Sequence, residues 1–421
     1  MFGAIGLSNR SLNEYEPVVG SAAIRRLRDL AEPLNGLRVL HVTSPGASNA
    51  VRTLLDCSVP LMHDLDLEVS WQQVRMPGDM WDMDQDLRRA LSGYPVKWTA
   101  ERGVEWWLFN QGNAEQFDKD YDMVVVHHTG SVGLLPAITR LRGGRPPGVW
   151  TWHSHRDYRA ANFQAWAKIR EAASTYDAAF YSYREFIRPD APNKRNMVIA
   201  PGVDPLGARA RPVAQGVQEV ILGQRGISLD KPIIAQIVFS MRDEDPLHVL
   251  DAYALVKEAR PDVQLVVVNM SPSGEIHEVY EMMSARAQEL GDVLILTDLD
   301  RVGNVELSTL REVSNVLLHQ GLPRGVSMEL LEEMWQSRPI VSGRSPVALA
   351  MLKDGVSAIF ADTPLEQANA IVQLMDNPKA ANRLGRAAHA AVARDLLITH
   401  FLERYLKATA RLVGKRARKE S

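Results

Sequence analysis

Two open, doubly wound α/β sheets, one in each half, are what the sequence of this 421-residue chain predicts. Three observations carry that prediction. Short apolar runs of strand length alternate with segments of helical periodicity along the chain. Some of these runs, such as Met123 to Val126, are apolar at every position, as strands covered on both faces of a parallel sheet must be. Finally, Pro201-Gly202-Val203-Asp204-Pro205 breaks the rhythm almost at the midpoint, where a hinge between two domains is expected. Ligands of open α/β sheets bind beyond the carboxyl ends of the strands, so two such sheets facing each other across a cleft would place the action between them.

The elements follow in order. Ala22, Ile24, Leu27 and Leu30 recur at helical spacing, so a helix over 22–33 precedes the first strand, Leu37 to Thr43. A polar turn, Ser44-Pro45-Gly46-Ala47-Ser48-Asn49, leads into a helix through Val51, Leu54, Leu55 and Val59. Further strands of the first half are expected at Leu67–Trp71, Met123–His127, Gly148–Trp152, Ala179–Tyr181 and Met197–Ile199. The second half repeats the pattern at Ile233–Ile237, Val263–Val268, Val293–Leu296, Val316–Leu318 and Pro339–Ser342. Residues 364–413 then read as helices, with Phe401, Tyr405, Leu406 and Leu412 on one stripe. The closing Lys415-Arg416-Ala417-Arg418-Lys419 reads as a solvated basic tail.

Composition excludes several classes. Hydrophobic residues at 46% and charged residues at 24% are those of an ordinary globular protein. A net charge of -3 argues against nucleic acid or an anionic membrane as the main partner. The lone Cys57 rules out an internal disulfide and suits a reducing compartment. With no signal peptide and no apolar run long enough to span a bilayer, a cytoplasmic location is expected.

From Tyr15 to about Tyr405 the chain resembles the retaining glycosyltransferases of the trehalose-synthase type. The matching segments include Tyr15-Glu16-Pro17-Val18-Val19-Gly20, Arg38 to Val42, Val59 to Met62, Leu67 to Trp71, Val125-Val126-His127 and Trp150-Thr151-Trp152-His153. They continue, in the same order, through Ile199 to Leu206, Asp230 to Gln236 and Glu332-Glu333-Met334-Trp335. The resemblance implies the GT-B fold, with two Rossmann-like domains facing across a cleft and a last helix crossing back to the first domain. The expected divisions are 1–205 for the acceptor side, 206–395 for the nucleotide-sugar side and 396–421 for the crossover helix and tail. It implies a nucleotide sugar and a sugar acceptor as partners, and no cofactor. A homo-oligomer stays open.

Motif by motif, the resemblance also implies where substrate would be held. The donor diphosphate needs positive potential, which relatives supply with an Arg, a Lys and a helix amino terminus. Here Phe239 and Glu244 fall at those two positions, leaving Arg242 as the candidate phosphate ligand among Asp243, Glu244 and Asp245. Of two Glu residues eight apart, one near the reacting sugar and one on the donor ribose, Glu332 matches the second and Arg324 replaces the first. Gly325-Val326-Ser327 stands for the usual Gly-Phe-Gly, with Gly325 at the donor and Ser327 able to cap the following helix. Ser48 and Asn49 occupy the glycine turn after the first strand. His153 matches a strand-end His over the two sugars, and it and Arg324 are the candidate catalytic residues; His127 joins the substrate-binding set, while His128 replaces an Asp of the relatives.

His153 and His155, two apart, share a face of an extended strand, and with His127 and His128 they raise the question of a metal. With no Cys or carboxylate cluster to complete a ligand set, none is assigned. Two functions stay open: hexosyl transfer with retention, through an altered donor site, or a catalytically silent relative that binds a ligand or a protein.

Overall fold

The strands fall into two separate sheets. In this computed structural model the described residues are 3–4, 10–45, 49–238, 246–269, 277–320 and 325–420. The chain divides into two compact units, one made of Met1–Gly202, Arg324–Val326 and Ile398–Ser421, the other of Val203–Pro323 and Ser327–Leu397.

The sheet of the first unit contains β1 (Gly3–Ala4), β2 (Arg38–Thr43), β3 (Glu68–Gln73), β4 (Met123–His127), β5 (Val149–Ser154), β6 (Ala178–Tyr181) and β7 (Asn196–Val198). Their order is β1-β3-β2-β4-β5-β6-β7, and all neighbours are parallel except β1 against β3. The second sheet holds β8 (Ile233–Val238), β9 (Gln264–Asn269), β10 (Val293–Leu296), β11 (Val316–His319), β12 (Ile340–Ser342) and β13 (Ile359–Phe360). Its order, β10-β9-β8-β11-β12-β13, is parallel throughout and is that of a Rossmann sheet. In both units the strand order reverses once, between β2 and β4 in the first and between β8 and β11 in the second.

Helices on both faces explain why the strands are apolar at successive positions. Val124, Val126, Ile234, Leu265 and Val341 are at most 1% exposed. Predicted and observed strands agree to within two residues at each end. The two that sequence periodicity missed, β1 and β13, have two residues each, too few to show a period. Gly148 starts β5 from a left-handed turn (φ +84°), and a side chain there would meet the Tyr121 carbonyl oxygen at 2.0 Å.

The last helix, Ile398–Glu420, returns to the first unit and packs on helices Ser21–Ala31 and Asn49–Asp64 and on β5. Phe401, Leu402, Tyr405 and Leu406 form its buried stripe. Among the described residues no helix is long and apolar enough to cross a membrane.

Candidate functional site

Each sheet presents its polar side chains beside the point where the strand order reverses, the position ligands favour in open α/β sheets. In the first unit these are histidines. His41 lies on β2, His127 ends β4, His153 lies beside it in register on β5, and His155 follows. All four are at most 2% exposed. Burial pushes His41 down to about 3 and holds His127, His153 and His155 well below the usual imidazole value, with neighbouring imidazoles adding to the effect. Each ring is therefore neutral at pH 7, with one proton and one lone pair.

Those rings form a chain. Tyr405 Oη lies 3.3 Å from His41 Nε2, His41 Nδ1 is 2.9 Å from His127 Nε2, and His127 Nδ1 is 2.9 Å from His155 Nε2. His155 Nδ1 ends the chain 3.0 Å from Ser182 Oγ. His153 stands beside it, its ring 3.9 Å from that of His155, and among the described residues neither of its nitrogens has a hydrogen-bond partner. One ring nitrogen from each of His127, His153 and His155 lies within 4.8 Å of the others. The histidines left without a metal assignment in the sequence thus converge.

A second group lies around the loops that follow these strands. Asp84, 2% exposed, pairs with Arg88 at 3.2 Å, and a side chain at Gly130 would meet its Oδ1 at 2.9 Å. Burial raises the Asp84 carboxyl, while Arg88 and Arg156 pull it back. Arg156 also donates to Ser92 Oγ at 2.9 Å and pairs through its backbone with Gly325. Gly325 is small for a reason: a side chain there would lie 3.3 Å from both Arg156 Cγ and the His155 carbonyl oxygen. Sequence reasoning missed Asp84, Arg88 and Arg156. Asp84 and Arg88 sit one turn apart on helix Trp81–Leu91, a pattern shared with any solvated helix pair.

In the second unit the polar group is charged. Helix Met328–Trp335 begins at Ser327, whose hydroxyl accepts from Leu330 N–H at 3.1 Å, so the expected cap is present. Glu332, one turn into that helix, is 2% exposed. Arg209 Nε lies 2.9 and 3.1 Å from its two oxygens, and Arg311 Nη2 lies 2.8 Å from one of them. Burial pushes the Glu332 carboxyl up to about 7, and the two guanidiniums pull it toward ionisation. Arg311 itself is 0% exposed, and among the described residues its Nε and Nη1 have no hydrogen-bond partner. Glu333 of the same helix pairs with His319 at the end of β11, at 3.2 Å.

Each unit holds some of the sequence-predicted residues. His127 and His153 share one buried cluster, Gly325 packs beside Arg156, and Glu332 sits in an ion triad of the second unit. Asn49 opens helix Asn49–Asp64. Ser48, Arg242 and Arg324, with Phe239 and Glu244, lie outside the described residues.

A family model described as trehalose synthase, N-terminal domain, matches residues 41–188. A trehalose synthase from Rubrobacter xylanophilus is 26% identical over 98% of this chain and 100% of its own length. One from Pyrococcus horikoshii is 25% identical over 96% and 97%. Among solved structures, the alpha,alpha-trehalose 6-phosphate synthase of Burkholderia multivorans matches with a TM-score of 0.71 at 11% identity, over 92% of this chain and 99% of that one. A UDP-forming alpha,alpha-trehalose-phosphate synthase from Burkholderia xenovorans, solved with glucose-6-phosphate, matches with a TM-score of 0.68 at 12% identity, over 89% and 100%. The chain has the GT-B fold of these proteins and is related along its length to the glycosyltransferases of the trehalose-synthase type.

Proposed function

We propose that this chain transfers a hexosyl unit from a nucleotide sugar to a sugar acceptor with retention of configuration. The observation that carries the reading is the end-to-end match to the trehalose synthases, which spans both units and leaves neither without a counterpart. In this reading the first unit holds the acceptor and the second the donor. The leaving diphosphate needs cations, for which Arg242 and Arg324 are the candidates, and Glu332 is the candidate for the ribose. Asn49, Ser48 and Gly325 then border the sugar and phosphates. Both His153 and His127 are only 1% exposed, so in this reading their part is to hold the strand ends rather than to reach a hydroxyl. Arg156, half-buried beside Gly325, adds a guanidinium that can donate to sugar oxygens, with the buried Asp84 carboxylate close enough to act on it.

The test is incubation of the full chain with a panel of nucleoside diphosphate glucoses and either glucose or a glucose phosphate, followed by NMR of the anomeric protons. A new disaccharide with retained configuration and release of nucleoside diphosphate is expected. No product from any pair would overturn transfer.

One observation favours a second reading, a silent relative that binds a ligand. Both oxygens of Glu332 are already taken by Arg209 and Arg311, so a ribose would have to compete with two charged donors. Thermal stabilisation by a nucleoside diphosphate or a sugar, with no product in the panel, is the outcome that this reading requires.

A further inference from the structure

We propose that His127, His153 and His155 form a site for one divalent transition-metal ion of the zinc type. This goes beyond sugar transfer and does not depend on it. One nitrogen from each ring lies within 4.8 Å of the other two. Zinc binds imidazole nitrogen at about 2.0–2.1 Å, so tetrahedral ligand atoms stand about 3.3 Å apart. His127 Nδ1 and His155 Nε2 are already 2.9 Å apart, and the His153 nitrogen lies within 4.8 Å of both, so about 1.5 Å at most has to close.

The surroundings favour the protonation that a metal requires. If His127 Nδ1 and His155 Nε2 turn lone pairs to the ion, the ring protons move to the outer nitrogens. His127 Nε2–H then donates to His41 Nδ1, His41 Nε2–H to Tyr405 Oη, and His155 Nδ1–H to Ser182 Oγ, at 2.9, 3.3 and 3.0 Å. Metal-bound histidines characteristically have such acceptors on the nitrogen facing away from the ion. A bare hydrogen-bonded relay satisfies these same rings but leaves His153 with two buried nitrogens that have no partner among the described residues. An ion gives His153 the partner it lacks.

Three neutral imidazoles suit zinc, cobalt, nickel or copper rather than magnesium or calcium. They leave a fourth position for water, whose ionisation to hydroxide lowers the charge brought into the interior. Because His127 and His153 are register partners on β4 and β5, the ion would tie two adjacent strand ends together.

The test uses the full chain, stripped with a chelator and titrated with Co²⁺ or Zn²⁺. One equivalent of Co²⁺ should produce the visible absorption of a tetrahedral nitrogen-ligated ion, and Zn²⁺ should displace it and raise the melting temperature. His153→Asn and His155→Asn should each abolish the absorption, whereas His63→Ala, at an exposed position, should retain it. Absence of a tetrahedral spectrum in the wild-type chain would overturn the site whether or not the variants fold. So would a spectrum that survives His153→Asn.

Discussion

Both units bury polar side chains beside the reversal of strand order, but the first uses neutral rings and the second uses charges. In the first, His41, His127 and His155 satisfy one another and end on two hydroxyls, so no ion is needed for the chain of bonds to close. In the second, Glu332 and Arg311 are nearly or fully buried; Arg311 is paired with Glu332, while Glu332 is paired with both Arg311 and Arg209. The lesson concerns fragility. A neutral network loses one or two hydrogen bonds when a member is removed, whereas a charged one leaves a buried charge uncompensated.

The largest expected effect therefore lies in the second unit. Glu332→Ala strands Arg311 and should lower stability by about 3–5 kcal/mol, read from the urea midpoint. Arg311→Met should cost less than half of that, because Arg209 still neutralises Glu332. Equal losses in the two variants would show that the triad does not act as an ion cluster.

Next comes the centre of the histidine chain. In metal-stripped protein His127→Leu leaves His41 Nδ1 and His155 Nε2 without their shared partner and should cost about 2–4 kcal/mol. His153→Leu removes a ring with no hydrogen bond among the described residues, and should cost under about 1.5 kcal/mol, as a volume-conserving core swap does. A larger loss at His153 than at His127 would contradict the connectivity described above. Tyr405→Phe takes only the hydroxyl at the chain's end and should cost about 1 kcal/mol by the same denaturation measurement.

Smallest is a surface ion triad at the opposite end of the second sheet. Asp292 binds Lys231 at 2.6 Å and Lys257 at 3.0 Å, and these hydrogen bonds hold its carboxyl below the usual value. A depressed carboxyl contributes stability above the pKa it has when unfolded and loses it as pH falls through the lower, folded one. Asp292→Asn should cost at most about 1 kcal/mol at pH 7, after screening, and the difference from wild type should vanish in acid. A difference that persisted at pH 2 would point to packing rather than charge.

Legibility differed between fold and site for physical reasons. Strands such as β4, β8 and β9 were visible because burial on both faces leaves a run of apolar residues that no surface segment shows. The cap at Ser327 was also visible, since capping needs only neighbours in sequence. Glu332 was recognisable from Glu332-Glu333-Met334-Trp335, but its partners were not: Arg209 and Arg311 are 123 and 21 positions away, with no local pattern to mark them. Asp84 looked like any helix carboxylate until the chain near Gly130 closed over it.

By itself, the sequence determined the alternation of strands and helices, the division into two sheets, and the relationship to the trehalose synthases, because each rests on patterns read within short stretches. Only the tertiary structure decided which polar groups meet. His41, His127, His155, Ser182 and Tyr405 come from five separate places in the chain, and parallel pairing with crossover connections joins them. Hydrogen bonds and ion pairs act over about 3 Å, a distance set by how elements pack and not by how far apart their residues stand in sequence.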